Sequence, residues 1–213
     1  MTIIDGDIPV IPLVQADDPA VAIRTAAALK AGGLTIVEVV LRTDAAFECL
    51  EAISQEMPDV SVGAGTVLSA QQVDEAIDRG AKFIVSPGLD AKSVERAQAR
   101  EIAIFPGVVT PGEAQRAWNL GLRTVKFFPA ELSGGASMLK ALSSVFRGMQ
   151  FMPTGGVNPE NLSEYLSLPS VIACGGSWLT PTREIAAGNF GAITKLAEEA
   201  LTIARNSNAG NRN

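Results

Sequence analysis

About eight short, continuously apolar runs, spaced roughly 20 to 27 residues apart and each followed by a segment with its own helix-start signal, predict an α/β fold on a parallel sheet. Two further observations choose among such sheets. The first strand-to-helix turn lacks the glycine fingerprint of an open dinucleotide-binding sheet, and eight units are what a closed (β/α)8 TIM barrel requires. The 213 residues, 47% of them hydrophobic, can bury one sizeable core and show no composition break. A single (β/α)8 barrel domain over 1–213 is expected, with short loops because the chain is at the low end of barrel lengths.

The elements follow in order. Residues 1–8 form a short leader, and Val10–Val14 reads as the first strand. Asp18-Pro19 opens a helix, with aspartate as the cap and proline in the first turn, and Gly32-Gly33 closes it. Residues 34–41 are the second strand and 44–56 its helix; 60–66 are the third strand, followed by a helix that Ser69 and Gln72 open as a capping box and Gly80 ends. Strands are expected at 82–86, 102–105 and 123–127, with helices at 91–100 and 111–120, the latter opened by a Thr110–Glu113 capping box. Strands at 150–153 and 171–174 complete the series, with helices opened by Asn158-Pro159 and Thr180-Pro181. The tail, 205–213, is polar and is expected to fray.

Composition narrows the function. With 17 basic and 23 acidic residues the net charge is −6, without a basic cluster for a nucleic-acid backbone. The leader is neither basic nor continuously apolar, and no run reaches the roughly 18 apolar residues of a membrane span. A cytoplasmic protein with small-molecule partners is expected. Cys49 and Cys174 lack metal-ligand spacing and read as small core residues. There is no histidine, which excludes a histidine base, a serine–histidine triad and histidine-rich zinc sites. Proton transfer falls to carboxylate, lysine, tyrosine or water, while magnesium held by carboxylates stays open.

The candidate chemistry gathers at the C-terminal ends of the strands, where barrel sites lie. Lys126 sits in an apolar strand beside Phe127 and Phe128. Burial disfavours an ammonium, and the usual use of such a lysine is a neutral amine that attacks a carbonyl. The alternative is a packed stem with its head in solvent. On the second strand Glu38, Val40 and Arg42 alternate with apolar residues, so period-2 geometry puts Glu38 and Arg42 on one face, as general acid/base and carboxylate clamp or as an internal ion pair. Gly63-Ala64-Gly65-Thr66 offers close backbone approach and a hydroxyl, and Ser86-Pro87-Gly88 reads as a turn. Gly155-Gly156 follows the seventh strand and Gly175-Gly176-Ser177 the eighth, the two places where barrels commonly bind phosphate.

These residues carry a family resemblance. Through Glu38-Val39-Val40-Leu41-Arg42-Thr43, Gly63-Ala64-Gly65-Thr66-Val67, Ser86-Pro87-Gly88, Lys126-Phe127-Phe128-Pro129-Ala130-Glu131, Pro153-Thr154-Gly155-Gly156 and Gly175-Gly176-Ser177-Trp178-Leu179, the chain resembles the class I 2-keto-3-deoxy-6-phosphogluconate (KDPG) aldolases, collinearly over residues 9–204. The resemblance implies retro-aldol cleavage to pyruvate and glyceraldehyde 3-phosphate without metal or other cofactor, with side activity on 4-hydroxy-2-oxoglutarate. It implies Lys126 as the Schiff-base residue and Glu38 as the proton shuttle. Arg42, Thr66 and Thr154 then hold the substrate carboxylate, Pro87 and Phe128 line the site, and Gly155, Gly156, Gly175, Gly176 and Ser177 take the phosphate. It also implies a homotrimer. Family members often carry a helix before the first strand that closes the barrel floor, whereas only about eight residues precede Val10 here. Two rivals stand beside this reading: a sugar-phosphate isomerase or epimerase using Glu38 as base, and a non-catalytic phosphosugar-binding module.

Overall fold

The computed structural model describes residues 9–210. Strands and helices alternate: β1 (Val10–Val14), α1 (Pro19–Ala31), β2 (Ile36–Val40), α2 (Ala46–Glu56), β3 (Ser61–Gly65), α3 (Ala70–Asp78), β4 (Phe83–Ser86) and α4 (Ala91–Ala99). They continue with β5 (Ala103–Val108), α5 (Pro111–Asn119), β6 (Thr124–Phe127), a 3-10 turn at Glu131–Ser133, and α6 (Gly135–Val145). The last are β7 (Gln150–Pro153), α7 (Leu162–Leu166), β8 (Cys174–Gly176), α8 (Thr182–Ala186) and α9 (Phe190–Gly210). The strands pair in parallel in the order β7-β6-β5-β4-β3-β2-β1-β8. Single bridges, Thr154 to Gly175 and Phe151 to Val171, bring β7 against β8 and nearly close the expected (β/α)8 barrel.

Local chemistry accounts for several helix starts. The Asp18 carboxylate accepts the Val21 N–H at 3.1 Å with Pro19 in the first turn, and Thr110 and Glu113 form a reciprocal capping box at the start of α5. Four expectations shift. Ser69 caps α3 by accepting the Gln72 N–H, but the Gln72 side chain reaches past it to the Leu68 N–H, so the box is not reciprocal. Asn158 accepts the N–H groups of Glu160 and Asn161, which makes a turn ahead of α7 and delays that helix to Leu162. β8 lies at Cys174–Gly176, because pairing with β1 begins where the Cys174 N–H reaches the Pro9 carbonyl; Val171 only bridges Phe151. Finally, α9 runs on to Gly210, into the stretch read as a tail, while the leader at 1–8 and residues 211–213 lie outside the described residues.

Strand alternation divides the core in two. Val37, Val39, Val62, Ala64, Val125, Phe127 and Phe151 point outward and pack under the helices. Ile11, Ile36, Phe83, Val85, Phe105, Met152 and Ala173 form a second cluster that fills the barrel interior. Two glycines of β3 make this packing possible. A Cβ on Gly63 would overlap the Phe83 ring, and one on Gly65 would overlap the Glu38 carboxylate. The close approach expected of a ligand at these glycines is therefore taken by the protein's own side chains.

Overpacking such a site costs about 1 to 3 kcal/mol, and the displaced group here is Glu38. Gly65→Ala is expected to lower the unfolding free energy by about that amount and to impair activity more than stability, as read from urea unfolding beside turnover.

Cys49 and Cys174 are buried free thiols. Burial, then Asp18 and Glu48, push the Cys49 thiol up to about 11, and burial raises Cys174 further, so both stay protonated at neutral pH and act as apolar filler. Among the described residues, no helix is long and apolar enough to cross a membrane.

Candidate active site

Lys126 is the third residue of β6; with Val125 and Phe127 turned outward, its side chain enters the barrel. It is 3% exposed, and its Nζ lies 3.6 Å from Oε1 of the fully buried Glu38. Neither Glu38 oxygen has a hydrogen-bond partner among the described residues. A buried carboxylate facing one ammonium without hydrogen bonds gains little net stability, and unsatisfied buried oxygens are uncommon in folded proteins. The pair is arranged for an incoming group. The Phe128 ring lies beside the same amine, 5.1 Å from Nζ to the ring centroid.

Arg42 arrives by a different route from the one expected. β2 ends at Val40, and the Arg42 N–H turns back to the Val40 carbonyl at 2.8 Å. Strand alternation therefore stops before Arg42, and no ion pair with Glu38 forms. Instead Arg42 Nε donates to Thr66 Oγ1 at 3.1 Å. Thr66 has φ 61°, a left-handed backbone that is uncommon for a β-branched residue. Such strain is found where surrounding structure holds a side chain for use, and here the threonine hydroxyl is held against the guanidinium. Pro87 sits at the mouth of the barrel in a turn closed by Ser86 Oγ donating to the Gly88 carbonyl at 2.8 Å.

The glycine loops come together on the β7–β8 side. Thr154, 3% exposed, fills the space at Gly175, where a Cβ would overlap its hydroxyl. Gly155 and Gly156 follow with φ 93° and 83°, a consecutive left-handed pair that side chains would strain. Gly176 lies against Trp178 and Leu179, and Ser177 is exposed. The structure brings several of the residues singled out from sequence into contact. Lys126 meets Glu38 inside the barrel, Arg42 meets Thr66 just beyond β2 and β3, and Thr154 against Gly175 brings the two glycine loops together.

The Lys126–Glu38 pairing was not readable from sequence, because β2 and β6 lie on different sides of the barrel. A second arrangement was also missed. Glu131, just beyond β6, accepts a hydrogen bond from Tyr165 at 2.9 Å and one from Asn161 at 3.4 Å. Its signals were a charged residue inside the lysine motif and the chain's one tyrosine. Burial and the adjacent Glu131 push the Tyr165 phenol well above its ordinary value, so it remains a proton donor. Among the described residues, no three His, Cys, Asp or Glu side chains are placed to hold a metal.

Known proteins resemble this chain in sequence and fold. The family model for KDPG and KHG aldolase matches residues 4–196. The chain is 44% identical over 196 residues to the 2-dehydro-3-deoxy-phosphogluconate aldolase of Treponema pallidum, covering 92% of each chain. It is 43% identical over 197 residues to the KHG/KDPG aldolase of Escherichia coli, again covering 92% of each. Among solved structures, the KDPG aldolase of Legionella pneumophila, with pyruvate captured as a covalent carbinolamine intermediate, superposes with TM-score 0.89 at 40% identity. The match covers 92% of this chain and 95% of that one. Sequence, fold and extent agree over nearly the whole length, and the chain belongs to the KDPG and KHG aldolase family.

Proposed function

We propose that this chain is a class I aldolase that cleaves KDPG to pyruvate and glyceraldehyde 3-phosphate through a Schiff base on Lys126, the cleavage step of the Entner–Doudoroff pathway. The observation that carries this reading is the buried Lys126 amine, 3.6 Å from a Glu38 carboxylate that has no hydrogen-bond partner among the described residues. Glu38 takes a proton from the Lys126 ammonium, the freed amine adds to the C2 carbonyl to give a carbinolamine, and Glu38 returns the proton to the carbinolamine hydroxyl, which leaves as water and gives a protonated imine. Glu38 takes the proton of the C4 hydroxyl. The C3–C4 bond breaks, its electron pair moves into the imine as an enamine, and the aldehyde leaves. Protonation at C3 and hydrolysis then release pyruvate and free Lys126.

The remaining residues bind and orient the substrate. Arg42, held by Thr66 at 3.1 Å, presents a planar guanidinium to the substrate carboxylate, with Thr154 as a further hydroxyl. Phe128 and Pro87 wall the reacting carbons. Gly155, Gly156, Gly175, Gly176 and Ser177 receive the phosphate, with backbone N–H groups and a hydroxyl as donors. The keto-acid half of the site would accept 4-hydroxy-2-oxoglutarate as well, releasing pyruvate and glyoxylate. An isomerase would give the buried lysine only an electrostatic role and a binding module would need no reactive amine, and the related proteins support neither. A cytoplasmic homotrimer completes the proposal, with sedimentation velocity as the check on its mass.

The deciding test is sodium borohydride reduction of the wild-type protein with pyruvate, followed by peptide mass spectrometry. A reduced pyruvyl adduct on Lys126 is expected, together with pyruvate release from KDPG in a coupled assay. A folded protein that forms no adduct would overturn the Schiff-base reading.

A further inference from the structure

Glu131 belongs to the same short segment as Lys126, yet no step of the chemistry above uses it. Its surroundings are unusually specific for a residue largely open to solvent. The backbone from Ala130 to Glu131 runs alongside the β7 loop: the Ala130 N–H donates to the Thr154 carbonyl at 2.8 Å, and the Glu131 N–H to the Gly155 carbonyl at 3.0 Å. The Glu131 Cβ occupies the space where a side chain on Gly156 would stand. Its carboxylate accepts the hydroxyl of Tyr165, a residue 1% exposed, at 2.9 Å. Asn161 Nδ2 is shared between that carboxylate, at 3.4 Å, and the Gly156 carbonyl, at 2.9 Å.

The Gly155-Gly156 turn is therefore gripped on both sides. Two left-handed glycines make a pliable turn, because they lose more freedom on ordering than any other residue pair. Backbone bonds hold Thr154 and Gly155, Asn161 holds the Gly156 carbonyl, and the Glu131 carboxylate, anchored to the buried phenol, holds Asn161 in place. We propose that Glu131 is a positioning residue that, through Tyr165 and Asn161, fixes the Gly155-Gly156 turn relative to the Lys126 strand and so sets the preference for a phosphorylated over a non-phosphorylated aldehyde. The inference rests on the reading of that turn as part of the phosphate site.

Positioning and simple electrostatics predict opposite signs. A carboxylate beside a phosphate repels it, so if charge were its only influence, removing Glu131 would strengthen phosphate binding. As a clamp, its removal releases Asn161 from the buried phenol, loosens the turn that Asn161 holds and weakens phosphate binding. The test uses the full-length protein in the synthetic direction, with pyruvate and either glyceraldehyde 3-phosphate or glyceraldehyde. The quantity read is the ratio of kcat/KM for the two aldehydes. In Glu131→Ala this ratio is expected to fall about tenfold or more, the scale of a lost hydrogen bond to a charged group. The loss should lie in KM for the phosphorylated aldehyde, while exchange of the pyruvate methyl protons with deuterated water continues at the wild-type rate. Tyr165→Phe keeps the buried ring, removes only the hydroxyl and should shift the ratio the same way by less, so the inference stays testable if Glu131→Ala folds poorly. An unchanged or raised ratio, or a parallel fall for both aldehydes, would overturn the proposal. Failure of the underlying reading is separately visible in wild type, as a ratio near one or an absent Lys126 adduct.

Discussion

Lys126→Ala is expected to lose the pyruvate adduct entirely and to lower kcat for KDPG cleavage by about 10⁴-fold or more, the scale seen when a covalent nucleophile is deleted. The adduct is read by borohydride trapping and peptide mass spectrometry, and turnover by coupled pyruvate detection. Stability gives an independent readout, because Lys126 is the charged partner of the fully buried Glu38, whose oxygens have no hydrogen bond among the described residues. Breaking a buried pair by removing one member costs about 3 to 5 kcal/mol, mostly through the charge left behind. The single variant should therefore unfold at lower urea. The double variant Lys126→Ala, Glu38→Gln should recover part of that loss, a coupling that a double-mutant cycle measures directly. An adduct that survives in Lys126→Ala would place the imine on another lysine.

Glu38→Gln separates imine formation from carbon–carbon cleavage. The substitution keeps the volume that Gly65 leaves for this side chain but removes the group that takes up the C4 proton. General acid–base groups contribute about 10²- to 10⁴-fold, so cleavage should fall within that range. Pyruvate should still be trapped on Lys126, more slowly, since the amine remains in place. Single-turnover mixing with KDPG, quenched into borohydride, distinguishes the steps: a substrate-sized adduct should accumulate in Glu38→Gln and stay scarce in wild type. Cleavage within tenfold of wild type would make Glu38 a structural partner of the lysine and move the proton transfer elsewhere.

Much of the fold was legible because its signals are local. Asp18-Pro19 and Thr110-Pro111 start helices where a side-chain oxygen and a proline fix the first turn, and these contacts span only a few residues. The inward placement of Glu38 and Lys126 was likewise available from alternation within single strands. Three matters were not local. β8 lies later than its apolar run suggests, because pairing with β1 sets its register. Arg42 leaves the alternation of β2 through a turn and meets Thr66, a contact that depends on where β3 ends. Gly63 and Gly65, read as space for a ligand, are space for Phe83 and Glu38.

The sequence by itself determined the strand-and-helix order, the faces that point inward and the family, since each is written in residue spacing or in short motifs. Only the tertiary structure decided which residues meet: Lys126 with Glu38, Thr154 with Gly175, Glu131 with Tyr165. The reason is geometric. Closing the barrel brings together residues from strands and loops distant in the chain, and whether a missing side chain leaves room for ligand or for protein depends on what the opposite wall presents.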